Sequence, residues 1–199
     1  MGTYKEISAQ TRQNLMNAFW QIYREKRIEK ITVREIAAKA GYNRGTFYEY
    51  FVDVYDVLEQ IEQSLLPGIA DIPPILPIPT VEDSPIDFFI DFYESGNEYY
   101  TVLLGDNGDP SFAAKIKNNI KGELLSRIAN NGIDTLELEY SLEYLLSAMI
   151  GVLTHWFKNG GNIARGRLVA LMYRLMNSEE LNKLATYTEN GGTGTTAVD

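Results

Sequence analysis

Residues 31–58 read ITVREIAAKAGYNRGTFYEYFVDVYDVL, and this stretch decides the fold. Thr32 and Glu35 stand at the spacing of a capping box, which marks a helix start. Val33, Ile36, Ala37 and Ala40 follow on one apolar face at helical spacing. Gly41 breaks the pattern where a helix C-terminus takes a left-handed residue. Asn43 is a good N-cap for a second helix, whose apolar pair Phe47 and Phe51 is spaced i, i+4. That register leaves Arg44, Thr46 and Tyr48 off the core-facing side. A short helix, a glycine turn and a second helix with outward polar and aromatic residues form a helix-turn-helix of the kind that reads a major groove.

Before this stretch, residues 8–26 predict a helix with Leu15, Ala18, Phe19 and Ile22 as its buried stripe. Together the three helices make a head, residues 1–52. A fourth helix begins near Asp53, a plausible N-cap, and carries Val57, Leu58, Ile61 and Leu65 out of the head toward the body. Residues 67–85 hold six of the seven prolines and mark the clearest boundary. Their many Ile, Leu and Val side chains suit an extended segment lying on the body surface better than a solvated tether. Helical spacing then predicts segments at 86–104, 110–130, 135–158 and 163–176, with no competing strand signal. The Gly/Thr-rich tail, 189–199, has the composition of a disordered segment. The expected fold is all-α: an N-terminal three-helix head and a C-terminal helical ligand-binding and dimerisation domain spanning 53–188.

Composition narrows the function. Hydrophobic residues make up 45% of the 199, enough for a full core. No apolar run approaches the roughly 20 residues that span a bilayer, and the first residues lack the apolar core of a signal peptide, so a cytoplasmic protein with no membrane partner is expected. The absence of cysteine excludes disulfides and thiolate metal sites, and a single histidine excludes a histidine-rich one. No cofactor or metal is expected. Net charge is −9, which alone argues against DNA, but its distribution argues otherwise. Residues 1–58 hold nine Lys and Arg against seven Asp and Glu, while the remainder holds nine against twenty. Screening acts over about 8 Å at physiological salt, so phosphate attraction depends on the local balance.

The run T-V-R-E-I-A-x-x-A-G-Y-N-R-G-T-F-Y-E-Y-F, at 32–51, resembles the DNA-binding domain of TetR/AcrR-family transcriptional regulators. The resemblance covers roughly residues 11–58. The run LLGDNGDPSF at 103–112 and the pair His155-Trp156 also resemble a C-terminal ligand domain of Gram-positive members. The resemblance implies a homodimer that binds a double-stranded DNA operator, with Thr46 and Tyr48 at backbone-contacting positions and Arg44 at a recognition position. One departure stands out. Many members place Lys in the F-x-x-K slot after the recognition helix to meet phosphate, and this chain has Val54 there.

The candidate DNA-contacting set is Thr32, Arg34, Arg44, Thr46, Tyr48 and Tyr50. Gly45 costs helix stability, which close approach to DNA or to a neighbouring helix would explain equally well. Phe89, Phe92, Tyr93, Tyr99, Tyr100 and His155 are the candidate ligand-binding residues, although an ordinary core accounts for the aromatic cluster and a packed position for His155. Leu145, Met149, Val152 and Trp156 on one helix, with Leu168, Leu171, Met172 and Leu175 on another, are the candidate dimer interface, although the same stripes also suit an interior. No spacing assembles a nucleophile, base and oxyanion donor, so no catalytic residue is expected. The expected function is a repressor released from a palindromic operator by an unidentified small ligand. A coactivator or protein-interaction module of the same fold, and a ligand-binding module without regulation, are the alternatives.

Overall fold

A computed structural model of the chain describes residues 4–68, 86–106, 108–128 and 135–176. The described residues are helical, without a strand, and divide into a head that runs to Leu66 and a body that holds the helices from Ile86 onward.

The head comprises α1 (Tyr4–Tyr23), a 3-10 turn (Ile28–Lys30), α2 (Val33–Ala40), α3 (Arg44–Tyr48) and α4 (Val54–Ser64). Each helix sends an apolar side chain inward. Leu15 and Phe19 of α1, Ile36 of α2, Phe47 of α3 and Val57 of α4 have no exposed surface. Burying such a side chain contributes about 1.5–3 kcal/mol, so these residues carry much of the head's stability. The first helix begins at Tyr4 rather than near 8, and ends at Tyr23 rather than 26. The amides of Glu25 and Lys26 both donate to the Ile22 carbonyl, which closes the helix in a turn.

By contacts the two units divide after Leu66, whereas the sequence reading set the DNA-binding domain at 1–52. The reason is the inner face of α4. Val57, Leu58 and Ile61 are buried, and α1 packs against both α2 and α4. The fourth helix is therefore part of the head.

The body comprises α5 (Ile86–Ser95), α6 (Asn97–Leu103), α7 (Phe112–Ile128), α8 (Thr135–Lys158) and α9 (Arg165–Met176). One helix was expected across 86–104, but it is broken at Gly96. The amides of Tyr99 and Tyr100 donate to the Gly96 carbonyl at 2.8 and 3.0 Å. The Tyr100 ring folds back over Gly96 so closely that a Cβ there would lie 2.6 Å from Cε2. Only a hydrogen fits under the ring. Asp109, one of the two aspartates of the 103–112 run, accepts the Ser111 amide at 2.8 Å in the turn that leads into α7. The Trp156 indole donates to the Ile163 carbonyl at 2.9 Å and closes the turn into α9.

Leu138, Leu142, Leu145 and Leu146 of α8 are buried, as are Ile116, Ile120 and Leu124 of α7, and the two helices pack together. Lys117 and Lys121 of α7 clamp them at the surface through Glu143, Lys121 at 2.9 Å. Arg165, the first residue of α9, holds Asp87, Asp91 and Glu94 of α5 at 2.8, 2.6 and 3.4 Å. The proline-rich residues 69–85 and the tail 189–199 lie outside the described residues, so the expectations for them stand apart from the structure.

Candidate nucleic-acid interface and body cavity

The capping box read from Thr32 and Glu35 is present. The Glu35 amide donates to the Thr32 hydroxyl at 3.3 Å, and the Glu35 carboxylate accepts the Thr32 amide at 3.0 Å. Gly41 takes φ of +79° at the end of α2, and the next amide, Tyr42, reaches back to the Ala37 carbonyl at 2.8 Å. Asn14 of α1 donates to the Tyr42 hydroxyl at 3.1 Å and ties the turn down. The Asn43 side chain then accepts the Thr46 amide at 3.0 Å and opens α3.

With Phe47 buried, α3 presents Arg44 and Tyr48 to solvent, the tyrosine 52% exposed. Arg34 of α2 is also exposed. Neither guanidinium has a partner among the described residues. Thr46 and Tyr50 are half-buried. Thr32 is exposed, but its hydroxyl is engaged with Glu35. Gly45 has a local reason. A Cβ there would stand 3.0 Å from the Asn43 side-chain oxygen, so the glycine keeps the cap of α3 seated.

Two carboxylates occupy the start of α4. Asp53 accepts the Tyr55 and Asp56 amides at 2.8 and 2.9 Å, while Asp56 accepts the Val52 amide at 2.8 Å. A helix N-terminus attracts phosphate through unsatisfied donors and a positive dipole end. Here the Tyr55 and Asp56 amides are taken by Asp53 and the local charge is negative, which makes this end a poor phosphate site. Asp56 also accepts from Gln60 at 2.8 Å, and Gln60 accepts from Arg12 of α1 at 3.1 Å. The same guanidinium lies 5.8 Å from the centre of the Phe51 ring. The chain leaving α3 is thereby fixed to both α4 and α1. A second carboxylate, Glu35, stands at the start of α2. The Lys26 ammonium at 2.6 Å, followed by the Thr32 amide and hydroxyl, holds it below the usual carboxylate range.

The body contains a small, partly open cleft with a cavity volume of about 40 Å³. Phe89, Phe92, Tyr93 and Tyr100, four of the candidate ligand-binding residues, line one side of it. Tyr99 and His155 do not line it. Tyr99 sits one position round its short helix from buried Tyr100, and His155 points to solvent, where its ring lies 3.4 Å from the Asn159 amide. The opposite wall was not anticipated: Ile116 and Ile120 of α7 with Leu146, Met149 and Ile150 of α8.

The expected dimer stripe divides. Leu145, Met149, Trp156, Leu168 and Met172 are interior to the single chain, and Val152 is half-buried. Leu171 and Leu175 of α9 are exposed, the latter at 61%. The outer side of α8 carries Leu136, Tyr140 and Tyr144 at i, i+4, i+8, each more than half exposed. The stripe read from the sequence was the inner one, which covers α7 and the cleft. The i, i+4 series one step round the helix was the signal for the outer one.

Among the described residues no helix is long and apolar enough to cross a membrane, and no group of three acidic, His or Cys side chains is placed to hold a metal.

A helix-turn-helix head followed by a helical body with an apolar cleft defines a class of DNA-binding regulators. Residues 16–61 match the bacterial regulatory proteins of the tetR family, and residues 89–178 match a transcriptional regulator C-terminal region. The chain belongs to the TetR family of transcriptional regulators. A TetR transcriptional regulator from Streptococcus agalactiae superposes with a TM-score of 0.63 at 19% identity, over 87% of this chain and 97% of that one. A tetR-family regulator from Streptomyces coelicolor gives 0.57 at 20% identity, over 94% and 89%. NalD, the secondary repressor of the MexAB-OprM multidrug efflux pump in Pseudomonas aeruginosa, gives 0.56 at 15% identity, over 84% and 96%. At these identities the likeness is one of fold. Comparison with curated proteins finds no match.

Proposed function

We propose that the chain acts as a homodimeric repressor that binds a palindromic operator and leaves it when a small molecule enters the body. The observation that carries this reading is the outward face of Arg44 and Tyr48 on α3, together with exposed Arg34 on α2, both guanidiniums unengaged among the described residues. Arg reads guanine bidentately or holds phosphate, and the hydroxyls of Thr46 and Tyr48 suit phosphate oxygens. One short recognition helix reads few base pairs, so two heads about 34–36 Å apart are needed to reach successive major grooves. Leu136, Tyr140 and Tyr144 with Leu171 and Leu175 supply the apolar face on which a second copy pairs about a two-fold axis. The effector acts only through a difference in affinity for the DNA-competent and incompetent conformations, and a coupling of about 1–3 kcal/mol changes operator affinity roughly 5–150-fold.

The test is fluorescence anisotropy with the gene's own upstream DNA and with sites selected from random sequence. Wild type is compared with the Arg44→Ala, Tyr48→Ala double variant after both are shown to be folded. Saturable binding that resists random competitor and is lost in the variant supports the reading. Wild-type binding no better than to random DNA from either source rejects it.

A second reading has its own observation. The carboxylates that close the start of α4, and Val52 beside them at 78% exposure, favour a protein-interaction module with little direct DNA binding. Partner binding that is insensitive to salt, together with no sequence preference on DNA, is its signature.

A further inference from the structure

The body cleft is lined mainly by hydrocarbon. The aromatic wall is continuous: the Tyr93 and Tyr100 rings are 5.0 Å apart, and Phe92 lies 5.5 Å from Tyr100. The aliphatic wall of Ile116, Ile120, Met149 and Ile150 faces it. The polar atoms among the lining side chains are the hydroxyls of Tyr93, Tyr100 and Thr154, and no lining residue is charged. Burial raises both tyrosines above their usual range, so they stand there as neutral hydroxyls.

The ionic groups of the surrounding helices are engaged with one another elsewhere. Asp87, Asp91 and Glu94 of α5 are held by Arg165. Lys115 of α7 is held by Asp109, and Lys117 and Lys121 by Glu143. A ligand bearing a charge would lose its hydration in this cleft and meet no counter-ion.

From this geometry we infer that the cleft takes an uncharged, largely aromatic or aliphatic small molecule with one hydrogen-bonding group, and rejects the matching carboxylate and ammonium. The inference rests on the effector reading above and adds the chemical class. The space now wide enough for water is smaller than such a molecule, so entry displaces side chains. Met149, flexible and unbranched, is the one best able to move. The lining hydroxyls are the candidate partners for the ligand's single polar group: Thr154, and Tyr93, which also hydrogen-bonds Thr101.

The experiment uses three naphthalenes of one size on the full chain: 2-naphthol, 2-naphthoate and 2-naphthylmethylammonium, at pH 7. Binding is read by thermal shift and by titration calorimetry. The expected result is saturable binding of 2-naphthol, with the charged pair weaker by about tenfold or more, as befits an uncompensated buried charge. Ile150→Trp, at a half-buried lining position, weakens the naphthol. Met149→Phe, which keeps a large apolar side chain, is the second filling variant should the first fold poorly. Naphthoate or the ammonium binding as tightly as naphthol overturns the inference, as does failure of all three to bind. Operator binding is measured on the same preparation. Naphthol binding without any operator leaves this inference standing and removes the regulator reading, whereas operator binding without naphthol does the reverse.

Discussion

Replacing Arg34 with alanine in both protomers changes the salt dependence of operator binding by an amount that follows from the charge arrangement of the head. Carboxylates of the chain itself occupy the starts of α2 and α4, which makes both poor phosphate sites. Lys26 is engaged with Glu35. Of the proposed contact residues, the charged ones are Arg34 and Arg44 in each head, both exposed and without a partner among the described residues. Four guanidiniums in a dimer, at about 0.9 released cations per neutralised phosphate, give a slope of log K on log salt near −3.6. Affinity then falls about 150-fold between 50 and 200 mM salt. Removing Arg34 takes away two, and the slope relaxes to about −1.8. Tyr48→Phe removes a hydroxyl but no charge, so it weakens binding and leaves the slope unchanged. Fluorescence anisotropy on a labelled operator from 50 to 300 mM KCl reads both quantities. A wild-type slope of about −6 or steeper, or one that Arg34→Ala does not alter, would falsify the reasoning, because phosphate would then be met by groups outside this face.

The outer tyrosines of α8 are open to a direct test. Tyr144→Glu places a charge at the centre of the proposed dimer face while leaving the buried side of α8 untouched, and sedimentation is expected to show monomer with unchanged helicity. A variant that stays dimeric moves the interface elsewhere. Glycine substitutions separate three environments. Gly122→Ala, where a Cβ meets nothing within 4 Å, is expected to gain about 0.5–1 kcal/mol in chemical denaturation. Gly45→Ala is expected to gain nothing, since the helix benefit of about 1 kcal/mol is offset by a disturbed cap. Gly96→Ala is expected to destabilise, because the Tyr100 ring must leave its seat. A stable Gly96→Ala chain would show that the seat is not needed. Acid should weaken the body at the surface clamps. Lys117 then Lys121 hold Glu143, and Arg165 holds Asp91, below the usual carboxylate range. Carboxyls with lowered folded values contribute fully above about pH 4 and lose that contribution as pH falls through the folded value, with no change from pH 6 to 8. Melting temperature followed from pH 7 to pH 3 checks this, and Glu143→Gln should flatten the acid limb.

Local signals were the legible ones. Thr32, Glu35, Gly41, Asn43 and Asp53 each act through hydrogen bonds or dihedrals a few residues away, and each stands in the structure where the sequence put it. Features set by distant packing were not legible. The break at Gly96 depends on where the Tyr100 ring lands, and a lone glycine in an apolar run does not reveal that. Helix α8 has apolar residues on two sides, so periodicity found a face but not which face the chain covers for itself. Tyr93 and Tyr100 were found as an aromatic cluster, whereas the aliphatic wall opposite them reads as ordinary core. Of the candidate DNA-contacting residues, helical register told that Arg44 and Tyr48 face out, but not that Thr46 and Tyr50 are half-buried. It did not show that the Thr32 hydroxyl is already engaged.

The Arg165 cluster joins two jobs that the sequence keeps far apart. Asp87, Asp91 and Glu94 are on the outer side of α5, and Phe89, Phe92 and Tyr93 of the same helix form the aromatic wall. Arg165 is the first residue of α9, the helix that carries Leu171 and Leu175. A guest that pushed α5 outward would therefore pull on the start of α9 through one guanidinium, as a tie-rod carries load between two beams. Cutting that rod with Arg165→Gln would leave guest binding intact and blunt its effect on the pairing of two chains, a separation measurable by titrating the guest against dimer dissociation.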